Sequence, residues 1–133
     1  MGPEPRNYNA MTEQFETQSL DASGFTHVDH IGVACKMLQK YEFLEAAARY
    51  GSALRGIAAK VGAPDKFNTT LTLAFLGLLS ERMADTPHET FAEFMEKNPD
   101  LVSRSLMETW YSKERVDSRR AREIFLMPDR FCN

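Results

Sequence analysis

The stretch GFTHVDHIGVACKML, residues 24–38, decides the fold because it combines a helix start signal with the first core-facing stripe. Thr26 is suited to cap a helix, and Asp29 follows it at the spacing of a capping box, with aspartate in place of glutamate. Apolar side chains then recur at i, i+3, i+4 and i+7, the period of one helical face: Ile31, Ala34, Cys35 and Leu38. The stretch therefore predicts an amphipathic helix that packs on a core.

Two longer helices follow from the same period and the same boundary signals. One is predicted over residues 42–60, with Gly62 and Pro64 after it as stop signals. The next begins near Asn68 and is apolar on nearly all sides, which predicts the central helix of the fold. Three of its first four residues are threonines, which are poor helix formers, so they are expected to serve another purpose.

The rest of the chain predicts shorter helices. The first has Thr86 as its cap, with Pro87 at its first position, and it ends by residues 98–99. Two more are predicted over residues 101–110 and 119–125, the latter with Ser118 as its cap.

These elements predict an all-α fold with one domain, because no stretch of the 133 residues alternates with the period of a β-strand. We expect a compact bundle of three or four main helices, with short C-terminal helices packed on it, over residues 25–133. Residues 1–24 are polar and contain Pro3 and Pro5, so they are expected to form a flexible N-terminal arm.

Composition narrows the range of partners. The net charge of −3 argues against nucleic acid, although Arg119, Arg120 and Arg122 lie close together. The longest apolar run is too short for a bilayer, and no secretory signal is recognisable. Two distant cysteines, Cys35 and Cys132, form no disulfide framework. These features predict a cytoplasmic protein without membrane contacts, and they leave a homo-oligomer open.

His27 and His30 are the leading candidates for chemistry. They lie about 60° apart on the first turn of the predicted helix and flank its apolar stripe. The helix dipole at that end disfavours the charged imidazolium, and neutral imidazole is the form that binds a metal or accepts a proton. We therefore predict an acid–base pair or a site for a divalent metal. The alternative is structural, with each ring capping the helix or bonding a backbone carbonyl.

Asn68, Thr72 and Tyr50 are the candidates to hold a ligand beside the histidines. Asn68 and Thr72 project from one side of the third predicted helix, and Tyr50 is a possible wall. Each has a simpler role as well: Asn68 as the helix cap, Thr72 bonded back to the main chain, and Tyr50 as a core residue. Two adjacent helix N-termini would favour an anionic ligand.

Other catalytic patterns are absent from the sequence. It contains no glycine-rich phosphate loop, GxSxG or HExxH motif, and no ExxH pair for a di-iron site. Cys35 is expected to be an inert buried thiol, with activation by His27 or His30 as the alternative.

Three separate blocks resemble a family of small bacterial helical proteins that has no assigned activity. They are GFTHVDHIGVA, GAPDKFNTTLTLAFL and YSKERVDSRRAREIFLMPDR, and the resemblance covers about residues 25–130. Phe25, Thr26, His27, Asp29 and His30 match the first block of that family. Its second block often has a histidine where this chain has Asn68, so the resemblance implies a weaker metal site here.

Two functions remain from the sequence. The first is a small-molecule site in which His27 and His30 contact a ligand held by Asn68, Thr72 and Tyr50. Whether this site binds the ligand only or also catalyses a reaction is left open by the sequence. The second is a non-catalytic interaction module with structural histidines, in which the polar arm and the arginine-rich last helix contact a partner protein.

Overall fold

Helices account for the regular secondary structure of residues 7–130, the part of the chain that the computed structural model describes. The all-α prediction is therefore confirmed. No helix in this range is both long and apolar enough to cross a membrane. The helices are α1 (Tyr8–Glu16), α2 (His27–Lys40), α3 (Phe43–Lys60), α4 (Thr69–Asp85), α5 (Phe91–Lys97), α6 (Lys113–Val116) and α7 (Arg119–Glu123). Short 3₁₀ turns lie at Ala22–Gly24, Pro64–Lys66, Pro99–Val102 and Leu106–Thr109.

The predicted capping box starts α2. The Thr26 hydroxyl accepts a hydrogen bond from the Asp29 amide at 3.1 Å, and the Asp29 carboxylate accepts one from the Thr26 amide at 3.0 Å. These two bonds satisfy amides that a helix start leaves without partners. Five consecutive residues of α2, from Ile31 to Cys35, are buried. α2 is therefore the central helix, and the prediction that the helix after Asn68 is central was wrong.

Residues 7–24 are not the flexible arm that the sequence predicted. They contain α1, which packs along α2 and buries Phe15 completely. The Tyr8 ring covers Gly32 so closely that a Cβ atom there would lie 2.5 Å from the ring. The Tyr8 hydroxyl donates to the Asp29 carboxylate at 3.0 Å. This packing depends on the space that Gly32 leaves on the surface of α2. The polar composition of residues 7–24 gave no sign of it, and the segment was therefore predicted to be flexible. Residues 1–6 lie outside the described residues.

α3 and α4 complete the main bundle. α3 begins after Glu42, whose carboxylate accepts hydrogen bonds from two amides of the first turn. The chain leaves it at Gly62, which has a φ of +76°, as the predicted stop signal requires. α4 buries only Thr70, Leu76 and Leu79 fully, because its remaining apolar residues lie at partly open surfaces.

The shorter elements differ from their predicted bounds. α5 starts four residues after the predicted position, because Thr90 and not Thr86 caps it by accepting from the Glu93 amide at 3.1 Å. One helix was expected over residues 101–110, but the structure has two separate 3₁₀ turns, Pro99–Val102 and Leu106–Thr109. Ser118 caps α7 as predicted, but α7 ends at Glu123.

An extended segment of residues 124–130, the C-terminal strap, holds the C-terminal region against α4. The Thr70 hydroxyl donates to the Ile124 carbonyl at 2.7 Å and accepts from the Leu126 amide at 3.0 Å. Tyr111 donates to the Leu126 carbonyl at 2.8 Å. Thr69 likewise donates to the Arg122 carbonyl, at 2.8 Å. Thr69 and Thr70 thus anchor distant backbone, which is the kind of additional purpose that the poor helix propensity of the threonines suggested.

Candidate functional site

A cavity of about 560 Å³ opens beside the first turn of α2. Its walls come from α2, α3, α4, α6 and the segment of residues 103–108. The volume lies within the range of small-molecule sites, about 300–1,000 Å³. The polar side chains on the wall include His27, His30, Tyr50 and Thr72, and the apolar ones are Leu54, Leu71, Phe75, Leu106, Met107 and Val116.

Four of the five residues that the sequence singled out meet at this cavity. His27 and His30 come from the start of α2, Tyr50 from the middle of α3 and Thr72 from the first turn of α4. The fold brings them together because α2, α3 and α4 pack against one another. Asn68 is the one that does not line the cavity.

His27 bonds the backbone of a distant segment. Its Nε2 atom lies 3.3 Å from the Leu101 carbonyl oxygen. A carbonyl only accepts hydrogen bonds, so Nε2 carries the proton in this contact. In the neutral ring Nδ1 is then an acceptor. The contact matches the structural alternative, in which a half-buried histidine bonds a carbonyl.

His30 is held by stacking. Its ring lies on that of Phe25, with the centroids 4.2 Å apart and the planes 21° from parallel. Burial is the main cause that lowers the pKa of His30 from 6.5 to about 4, the neighbouring His27 adds to this effect, and Asp29 opposes it. His30 is therefore neutral at physiological pH. Its ring nitrogens have no hydrogen-bond partner within residues 7–130.

Tyr50 is 5% exposed, and burial raises the pKa of its hydroxyl. Its ring packs on that of Phe15, with the centroids 5.1 Å apart. The hydroxyl has no hydrogen-bond partner within the described chain. Every fully enclosed side-chain nitrogen or oxygen in that part of the chain does have one. The Tyr50 hydroxyl is therefore open to solvent, and the cavity is where Tyr50 meets it.

Asn68 has the simpler of its two predicted roles. Its Oδ1 accepts from the Leu71 amide at 2.9 Å, as a helix cap does, and its Nδ2 donates to the Val116 carbonyl at 2.8 Å. Both polar atoms are thus engaged in holding α4 and α6, and the expectation that Asn68 holds a ligand is corrected. Thr72 lines the cavity while its hydroxyl donates to the Asn68 carbonyl at 2.7 Å.

The helix N-termini are occupied by the protein's own side chains. Thr26 and Asp29 cap α2, and Asn68 caps α4. The charged side chains on the cavity wall are Arg104, Lys113, Glu108 and Asp117, two of each sign. Lys113 forms an ion pair with Asp117 at 2.9 Å. Neither the caps nor these charges supply the anion site that was expected.

The described residues contain no cluster of three or more histidine, cysteine, aspartate or glutamate side chains that could hold a metal ion. Asp29, the acid between the two histidines, accepts hydrogen bonds from Tyr8 and from the Thr26 amide. Its carboxylate therefore caps the start of α2 and binds α1 to it. The expected divalent metal gains no support from this geometry.

Cys35 is buried, and burial raises its pKa to about 12. The thiol is therefore protonated at neutral pH and is a poor nucleophile, which agrees with the prediction of an inert buried thiol. Cys132 lies outside the described residues.

Part of the cavity wall was not predicted. It comes from residues 103–108 and from Lys113, Val116 and Asp117. Their positions depend on contacts with residues far away in sequence, such as the bond from His27 to Leu101. No local pattern signals such contacts.

Comparison of the chain with protein-family models, curated proteins and solved structures found no match. The resemblance to a bacterial helical family stays a prediction, and the cavity itself is the feature that points to a function.

Proposed function

We propose that this protein binds a small molecule in the cavity between α2, α3 and α4. The observation that carries the proposal is that His30 and Tyr50, two largely enclosed polar side chains, have no hydrogen-bond partner within residues 7–130. Both line this one cavity. Their polar atoms reach solvent in the cavity, because every fully enclosed side-chain nitrogen or oxygen in that range has a partner, so a ligand that bonds them would replace water at two largely enclosed side chains.

The side chains favour binding over proton transfer. A general base works best when its pKa lies near the operating pH. The pKa of His30 is about 4, so its ring is a weak base at neutral pH. His27 has one nitrogen engaged with the Leu101 carbonyl. We therefore assign the two histidines to hydrogen bonding with the ligand, and the catalytic and metal-binding roles predicted for them are not part of this proposal.

The apolar side chains indicate the shape of the ligand. Leu54, Leu71 and Phe75 line the cavity from α3 and α4, and Leu106, Met107 and Val116 line it from the C-terminal region. A compound with an apolar body and one polar end would bury its body against these side chains and direct its polar end to His30 and Tyr50. Apolar burial contributes about 25 cal/mol per Å².

The test is a thermal-shift screen of small aromatic and aliphatic compounds, with two tryptophan variants of α3. Leu54→Trp fills the cavity, while Leu44→Trp places the same side chain at a position that is 74% exposed. A specific ligand raises the melting temperature with the logarithm of its concentration. We expect this rise in the wild type and in Leu44→Trp, and its loss in Leu54→Trp. A rise that persists in Leu54→Trp, or no rise with any compound, would refute the proposal.

A protein-interaction function is a second candidate, favoured by the surface of the C-terminal strap. Ile124, Phe125 and Met127 are 48%, 44% and 67% exposed and lie close together in sequence. Adjacent exposed apolar side chains can mark a protein interface. Sedimentation velocity of the wild type and of Phe125→Ser over a range of concentrations tests whether a second copy binds there. A single species at every concentration would exclude self-association through this surface.

A further inference from the structure

We infer that the ligand enters this cavity with an uncharged polar group that carries a hydrogen-bond donor, such as a hydroxyl or an amide N–H. The inference rests on the proposed function and adds the chemical class of the ligand. It follows from which hydrogen-bonding positions on the cavity wall are already used by the protein.

Thr72 offers the ligand only an acceptor. A hydroxyl has one hydrogen, and that of Thr72 is donated to the Asn68 carbonyl at 2.7 Å. The lone pairs of its oxygen remain available. A ligand group that meets Thr72 must therefore donate.

His27 offers the same chemistry. Its Nε2 hydrogen is directed to the Leu101 carbonyl, so the neutral ring has an acceptor at Nδ1. The His30 ring and the Tyr50 hydroxyl, which also line the cavity, can each donate or accept. The four groups together thus include two acceptors and two that adapt. This set complements a hydroxyl or an amide, which can both donate and accept.

A carboxylate fits the wall poorly, because it has no hydrogen to give to Thr72 or His27. The two cations nearby, Lys113 and Arg104, are exposed, so solvent screens the attraction that they offer to its charge. Lys113 is paired with Asp117 at 2.9 Å, and Arg104 is exposed on the same wall as Glu108. Burial of an ionised carboxylate without a dedicated partner is costly. The anionic ligand that the sequence suggested is therefore replaced by a neutral one.

Three probes with one apolar body test the inference on the full chain: 4-butylphenol, 4-butylbenzoate and butylbenzene. Dissociation constants at neutral pH are measured by ligand-observed NMR. We expect 4-butylphenol to bind about three- to tenfold more tightly than either of the others, as one or two net hydrogen bonds imply.

Thr72→Val keeps the shape of the side chain and removes the acceptor. We expect it to weaken the binding of 4-butylphenol about three- to tenfold and to leave the affinity for butylbenzene unchanged. Thr69→Val is the matched control, because Thr69 is on the same helix but does not line this cavity. It should leave the affinities of all three probes unchanged.

The outcomes separate the inference from the function on which it rests. Equal or tighter binding of 4-butylbenzoate overturns the uncharged class, and equal binding of butylbenzene overturns the donor requirement. In both cases the small-molecule site stands if Leu54→Trp abolishes binding. If none of the probes binds, or Leu54→Trp leaves their affinities unchanged, the proposed function fails together with the inference.

Discussion

Thr70→Val should destabilise the fold by detaching the C-terminal strap from α4. Thr70 is fully buried, and its single hydroxyl bonds two backbone groups of the strap. Valine has nearly the same shape but cannot form either bond. The substitution therefore removes the polar contact and leaves the packing of the side chain nearly unchanged.

The expected cost follows from the two groups that lose their partner. The Leu126 amide lies in a buried residue, and such an unsatisfied donor costs roughly 1–3 kcal/mol. The Ile124 carbonyl belongs to an exposed residue, so water can replace the threonine and only the net bond, about 0.5–1.5 kcal/mol, is lost. Together these terms lower the free energy of unfolding by roughly 2–4 kcal/mol.

Urea unfolding followed by circular dichroism measures this change. With an m-value of about 2 kcal/mol/M, which is ordinary for a small protein in urea, the midpoint should fall by roughly 1–2 M. Thr72→Val is the matched control, since the Thr72 hydroxyl bonds only a carbonyl of the same helix turn. That variant should stay within about 0.5 kcal/mol of the wild type. Equal stability of Thr70→Val and Thr72→Val would refute the assigned role of Thr70 and of the strap contact.

Two further predictions concern α2 and its neighbours. Burial lowers the pKa of His30 from 6.5 to about 4, so the unfolded chain binds a proton first as the pH falls. The free energy of unfolding of the wild type should therefore decrease as the pH falls from 6.5 to about 4, and that of His30→Leu should decrease less. Urea unfolding of both proteins at neutral pH and at about pH 5 measures the two decreases. Equal decreases in the two proteins would contradict the low pKa of His30. Gly32→Ala should cost roughly 1–3 kcal/mol, because the new methyl group displaces the Tyr8 ring and its bond to Asp29. Gly51→Ala, where the added Cβ meets nothing within 4 Å, should instead raise the free energy of unfolding by about 0.5–1 kcal/mol. Similar melting temperatures for the two variants would show that the Tyr8 ring does not lie against Gly32.

Much of the candidate site was predictable, but the sequence left open how its side chains use their hydrogen bonds. The sequence indicated His27, His30, Tyr50 and Thr72, and the structure places all four on one cavity. It also suggested Asn68, whose two polar atoms are engaged elsewhere. A sequence pattern can show on which face of a helix a residue lies. It does not show whether a distant backbone group already occupies that residue's donor or acceptor.

The sequence by itself determined the local features of this protein. The capping box at Thr26 and Asp29, the end of α3 at Gly62 and the all-helical class follow from spacings of three or four residues and from the conformational freedom of glycine. Only the tertiary structure decided that α2 is central, that α1 packs over Gly32, and that residues 103–117 close a cavity. These features join groups dozens of residues apart, as the bond from His27 to Leu101 does. Their energy depends on how whole helices pack, and no short segment of sequence contains that information.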